Sequence, residues 1–202
     1  MCGILAISRQ PRADPAGSPA DVRDRLSHGL SLLAHRGPDG HGTFGSVDQA
    51  VAMCRLRVRS APADPVPFTD AGTGYALNGE IYRTADGQVP GGGLAEAQAL
   101  AGAPLGEIDG MWASASLGPD GDLRLTRDPF GIKPLLMRRQ PDTLTFASEV
   151  RTLLELTGPA SIRRPALAQF LLTGRVVDGG SFWDGVSEVP QGVYLKVSDG
   201  QM

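Results

Sequence analysis

Met1-Cys2-Gly3-Ile4-Leu5-Ala6-Ile7-Ser8-Arg9 opens the chain. Residues 4–8 are a short apolar run ending at Arg9, the pattern of a buried strand, so Cys2 stands at the start of a rigid element. Loss of the initiator methionine would leave Cys2 with a thiol and a free α-amine on one carbon. A thiol of pKa about 8.5 is mostly protonated at neutral pH, whereas an α-amine of pKa about 7.7–8.0 can take its proton, directly or through one water. Such a residue is nucleophile and base together and needs no histidine, as an N-terminal threonine needs none. With Met1 in place the same nitrogen is an amide without usable basicity.

Outward from this strand, residues 10–17 read as a Pro/Ala/Asp/Gly loop, and Ser18-Pro19-Ala20-Asp21 as a helix start with Ser18 as N-cap. Val22, Leu26, Leu30 and Leu33 then follow at helical spacing, giving one face to a core. Strands are expected over 51–58 and over 74–77, the latter stopping at Asn78-Gly79. Residues 112–117 and 123–127 flank the turn Gly118-Pro119-Asp120-Gly121-Asp122 and form a hairpin; 135–138 and 144–147 form a second pair. Helices are expected near 149–156 and over 165–172, and a strand over 189–197. Antiparallel runs interrupted by helices predict an α+β architecture.

Composition sets limits on partners. A length of 202 residues suits one domain with a sizeable core. The two cysteines, Cys2 and Cys54, are too few for a secreted disulfide framework and suggest a reducing cytoplasm. With 19 basic and 22 acidic residues there is no polycationic character to favour nucleic acid or anionic membrane, and no apolar stretch approaches the roughly 18 residues of a span. The 27 glycines and 16 prolines predict many turns.

Behind Met-Cys-Gly-Ile come, in order, His35-Arg36-Gly37-Pro38-Asp39-Gly40, Arg55-Leu56-Arg57-Val58, Asn78-Gly79-Glu80-Ile81-Tyr82, Arg127-Asp128-Pro129-Phe130-Gly131-Ile132-Lys133-Pro134-Leu135 and Phe146-Ala147-Ser148-Glu149. Each is weak alone; together they resemble the glutaminase domain of asparagine synthetase, a class II glutamine amidotransferase of the N-terminal-nucleophile hydrolase family. The resemblance implies a four-layer αββα sandwich, with residues 1–161 as the amidotransferase domain. Residues 162–202 would be the C-terminal part of that domain, the family's interdomain connection and a possible partner contact. It implies Cys2 as nucleophile toward the amide of glutamine, and Asn78 and Gly79 as oxyanion donors. It also implies Arg55 as partner of the substrate α-carboxylate, Glu80 in the glutamine pocket, and Leu56 and Val58 in its lining. No cofactor or metal is called for. The Arg127-Asp128 and Lys133 segment reads as a structural turn tied by ion pairs, and Cys54 as a small buried hydrophobe.

Two departures from the family pattern carry consequences. The family's aspartate for the substrate ammonium falls at Leu94, in Leu94-Ala95-Glu96-Ala97, after a shortened glycine-rich stretch that suggests a missing helix. Asp86, Glu96 or a partner protein are the candidate replacements. The sequence also lacks the Ser-Gly-Gly-x-Asp-Ser loop of the family's ATP-using domain, so the expected function is a glutaminase subunit in the cytoplasm. It would pass ammonia to a separate ATP-dependent synthetase-like protein. The alternatives are a non-catalytic scaffold or regulatory subunit, and an amidase for a different amide with Leu94 as a specificity residue.

Overall fold

The computed structural model describes residues 1–10, 22–58, 64–198 and 200–202. The expected helix start at 18–21 and most of the loop before it lie outside the described residues. The opening stretch forms β1 (Gly3–Arg9), buried along its whole length. It runs antiparallel between β3 (Gln49–Arg55) and β9 (Thr143–Ala147), so no edge of it meets water. Burial on both faces explains the unbroken apolar run. Ile4 and Ala6 point into the core between two sheets, while Leu5 and Ile7 pack under helices.

The first sheet has six strands in the order β10-β8-β9-β1-β3-β2, with β2 (Gly40–Gly45), β8 (Leu136–Arg139) and β10 (Val186–Glu188) completing it. The second has five in the order β11-β7-β6-β5-β4: β4 (Phe68–Asp70), β5 (Thr73–Arg83), β6 (Asp109–Leu117), β7 (Leu123–Arg127) and β11 (Tyr194–Val197). The inner faces meet in an apolar layer that includes Met53, Ala76, Trp112, Leu125 and Phe146. On the outer face of the first sheet lie α1 (Val22–Leu33) and α3 (Val150–Thr157). Val22, Leu26, Leu30 and Leu33, the expected face of α1, are all buried there. The second sheet carries the short α2 (Gly93–Ala99), packed on β4 and β5. This is the αββα sandwich with a reduced fourth layer. A fourth helix, α4 (Arg164–Thr173), buries only Ala166.

Several boundaries differ from the sequence reading. Strand β5 does not stop at Asn78-Gly79; it continues to Arg83, with Asn78 opposite Ala113 and Gly79 opposite Trp112. The dipeptide resembles a turn, but here glycine serves close approach: a Cβ on Gly79 would lie 2.0 Å from the Met111 carbonyl oxygen. The strand expected over 51–58 ends at Arg55, and that over 189–197 begins only at Tyr194, with β10 before it. The motif at 35–40, which reads as a loop, leads straight into β2. Gly37 passes so close to β3 that a Cβ would sit 2.4 Å from Arg55 N. The shortened stretch before Leu94 has no helix of its own, and α2 begins at its last residue, Gly93. Residues 162–202 contribute β10 to one sheet and β11 to the other. Among the described residues, no helix is long and apolar enough to cross a membrane.

Candidate active site

The start of β1, the end of β3 and the middle of β5 meet around a cavity of about 330 Å³. Cys2, Arg55, Leu56, Val58, Asn78, Gly79 and Glu80 all line it. The structure therefore gathers these seven residues, from segments up to 78 positions apart, at one place. Cys2 is half-buried. Its Sγ receives the Leu56 N–H at 3.4 Å and lies 3.7 Å from the Leu56 carbonyl.

Two polar atoms in the wall lack partners among the described residues. Asn78 is 1% exposed, and its Nδ2 is buried without a hydrogen bond. Arg55 is equally enclosed: Nη2 donates to Asp64 at 3.2 Å and the guanidinium stacks 4.7 Å over the Phe68 ring, yet Nη1 is unpaired. An unmatched buried donor costs about 1–3 kcal/mol, more when charged. A wall holding two of them suits a ligand that brings a carbonyl oxygen to one and a carboxylate to the other.

The stretch leading into α2 forms another wall through Pro90, Gly91, Gly92, Gly93 and Glu96, and Lys133 of the 127–135 segment also lines the cavity. Leu94 is not part of that wall; it packs partly buried against the hydrophobic cluster that also holds Ala97 and Leu100. Leu94 is thus beside the residues that line the cavity rather than among them. Of the candidate replacements, Glu96 is 8% exposed and faces the cavity, whereas Asp86 sits on an exposed loop bound to Thr84.

The sequence pattern from 1 to 87 and from 94 to 202 matches the family described as the glutamine amidotransferase domain. The chain belongs to this family. The unmatched six positions coincide with the glycine-rich wall. A glutamine-hydrolysing asparagine synthetase named in Mycobacterium bovis is 30% identical over 236 residues, covering 100% of this chain and 36% of that protein. Asparagine synthetase 1 of Bacillus subtilis is 26% identical over 191 residues, or 85% of this chain and 29% of its own length. The chain thus spans about a third of the curated relatives it matches. In fold it is similar to glutamine phosphoribosylpyrophosphate amidotransferase of Bacillus subtilis, at a TM-score of 0.58 and 16% identity, covering 99% of this chain and 48% of that one.

In this amidotransferase domain one contact near the cysteine escaped the sequence reading. Arg36 Nε donates to the Cys2 carbonyl at 3.0 Å, and Arg36 Nη1 donates to Glu149 at 2.9 Å. His35 Nε2 lies 2.9 Å from the same carboxylate oxygen. The motifs at 35–40 and 146–149 are therefore halves of one clamp on the backbone of Cys2. A charge-complementary pair of distant motifs was the available signal. Burial alone would raise the Glu149 pKa, but the hydrogen bonds from Arg36 and His35 outweigh it and hold the carboxyl below its usual range. Ser148 completes the clamp by accepting the Ile4 N–H at 2.9 Å.

The segment 127–135 is a tied turn, as its charges suggest. The fully buried Asp128 carboxylate accepts N–H bonds from Trp112, Phe130, Ile132 and Lys133 at 2.9–3.3 Å. Arg127 donates to the carbonyls of Lys133, Gly131 and Val189 and to Glu188. The ion pair foreseen within the turn is thus replaced by backbone capture, with Glu188 of β10 as the carboxylate partner. Cys54 is buried, and its thiol, raised in pKa first by burial, donates to the Leu33 carbonyl at 3.0 Å.

Proposed function

We propose that this chain hydrolyses glutamine to glutamate and ammonia through a thioester on Cys2, and that the ammonia is used by a separate asparagine-synthetase-like, ATP-dependent protein. The observation that carries the reading is the convergence of the Cys2 thiol with the unpartnered Asn78 Nδ2 and Arg55 Nη1 on one cavity. With Met1 removed, the α-amine takes the thiol proton and the sulfur attacks the amide carbon. The oxyanion is met by Asn78 Nδ2 and the Gly79 N–H. Collapse expels the amide nitrogen as ammonia with the proton held by the amine; water then cleaves the thioester, giving glutamate and restoring the thiol.

Binding follows from the charges. Arg55 takes the α-carboxylate, and Glu96, with Glu80 in the same wall, provides negative charge for the α-ammonium that Leu94 cannot. Leu56 and Val58 line the apolar part of the path. A buried ammonium left without a carboxylate would weaken binding by about 2–5 kcal/mol. The glycine-rich wall and Glu96 together are therefore this chain's own solution to the amine end of the substrate.

The tests are direct. Protein freed of Met1 should form glutamate from glutamine, alone or with its partner, and should show an acyl adduct on Cys2 by mass spectrometry. Cys2→Ala should abolish both, and Glu96→Gln should raise KM more than it lowers kcat. Glutamate formation that persists in Cys2→Ala, or none under either condition, would sink the proposal. The scaffold alternative predicts instead that Cys2→Ala leaves the partner's glutamine-supported activity intact. For the partner contact the support is α4 and its surroundings, where Leu171 is 75% and Leu172 85% exposed in residues 162–202. A reducing cytoplasm, which keeps Cys2 a thiol, is the fitting compartment.

A further inference from the structure

The outer face of the second sheet holds a second cavity, of about 450 Å³, on strands that the glutamine site uses only in part. Cross-strand partners share a face. Gly74 abuts Phe44 of the first sheet, so the 74 and 76 positions face inward and Tyr75 and Leu77 outward. Register then places Leu77, Ser114, Thr126 and Tyr194 in one outer row, and Tyr75, Ser116, Arg124 and Lys196 in the next. Helix α2 covers β4 and β5, and among the described residues no helix packs comparably on β6, β7 or β11. The middle of the floor is therefore Ser114, Ser116 and Thr126, with Ala97 and Leu100 as an apolar wall.

Three features give this space a chemistry. Thr126 is 3% exposed, yet its Oγ1 has no hydrogen-bond partner among the described residues. The charges at the rim are already matched: Arg124 pairs with Asp120 and Asp122, and Lys196 with Asp122. Tyr194 reaches from β11 to the turn after α2, where its hydroxyl lies within hydrogen-bond distance of the Leu100 and Ala103 carbonyls. Tyr194 and Leu100 thereby form one side of the compartment.

We propose that this compartment binds a neutral, mainly apolar small molecule of ring size, with one hydrogen-bonding group directed at Thr126. A volume of this order is typical of small-molecule sites. A charged ligand would be desolvated there without an unpaired counter-charge. The site depends on the fold and not on the glutaminase reading.

Indole is a suitable probe, with indole-3-acetate as its charged counterpart. Titrated into isotope-labelled full-length protein, indole should produce saturable NMR shifts at the Ser114, Ser116 and Thr126 amides; α2 walls both cavities, so shifts there do not discriminate. Indole-3-acetate should bind at least about tenfold more weakly, and Thr126→Val should weaken indole by about three- to tenfold. Ser116→Leu should fill the floor and remove the shifts; if that variant does not fold, the near-isosteric Thr126→Val decides. Cys2→Ala protein should bind indole unchanged, which separates this result from the fate of the catalytic proposal. No saturation by about 10 mM, unaltered affinity in Thr126→Val, or shifts confined to the Cys2 cavity would overturn the inference.

Discussion

Asn78 and Arg55 are polar residues buried beyond the usual limit for their types, each with a nitrogen left over. Protein interiors rarely tolerate this unless another group completes the pair. Under the proposed reaction the spare Arg55 donor would meet the standing carboxylate of the substrate, and the spare Asn78 donor would meet charge that develops during reaction, which is where a donor lowers a barrier most. Asn78→Ala should therefore lower kcat about 10²- to 10³-fold with a smaller change in KM, as steady-state glutamate formation would show. A loss confined to KM would place Asn78 in ground-state binding instead. The role of Asn78 can be imagined from its motif, but its unmatched Nδ2 could not: whether an amide finds a partner depends on strands distant in sequence.

At the scale of elements, strand continuity matters more than local propensity. The sequence Asn-Gly favours a turn when nothing opposes it. Here pairing with β6 across Ala113 and Trp112 holds the chain extended, and the missing side chain lets β6 close on it. Gly79→Ala should cost about 2–4 kcal/mol, because the new Cβ meets fixed backbone rather than a flexible side-chain end, and denaturant unfolding would measure it. The approach to α4 offers a pH prediction. Asp178 is held at about 2, chiefly by its hydrogen bond from Arg163 and then by Gln169 of α4 and the Gly180 N–H. A depressed carboxylate pKa contributes stability that is present above its unfolded value of about 3.9 and lost as pH falls toward the folded one. The Asp178 carboxyl should thus titrate near pH 2 by NMR, with α4 amides losing protection over that interval and not at pH 5–7. Titration near 3.9 would show the contact to be absent in solution.

On the scale of the whole molecule, the two ends of α4 and the cavity make different demands. The sandwich is closed by α1 and α3 on one side, whereas α4 keeps Leu167, Phe170, Leu171 and Leu172 at least 43% exposed. Exposed apolar area gathered on one helix is the mark of a surface that another body covers. Leu171→Asp with Leu172→Asp should leave glutaminase turnover of the chain alone unchanged. Supplied with the synthetase-like partner proposed above, the double variant should lose most of the glutamine-supported amide product while free ammonia still supports it. Equal coupling in variant and parent would assign the contact to another face.

The buried first strand, the amphipathic face of α1 and the two hairpins were legible in the residues alone, and the resemblance to a family added seven residues that line one cavity. The elements rest on local patterns, an apolar run, a 3.6-residue period and turn-forming dipeptides, whereas the cavity residues rest on motifs whose roles the resemblance implies. Only the tertiary structure decided that Leu94 turns to the core while Glu96 faces the cavity. It alone joined Arg36 and Glu149 into a clamp on Cys2, and it ran β5 through its apparent turn. Those outcomes depend on which segments meet in space and how closely their backbones approach. Contacts between residues more than a hundred positions apart leave no periodic trace along the chain, because the energy that selects them comes from neighbours the local sequence does not contain.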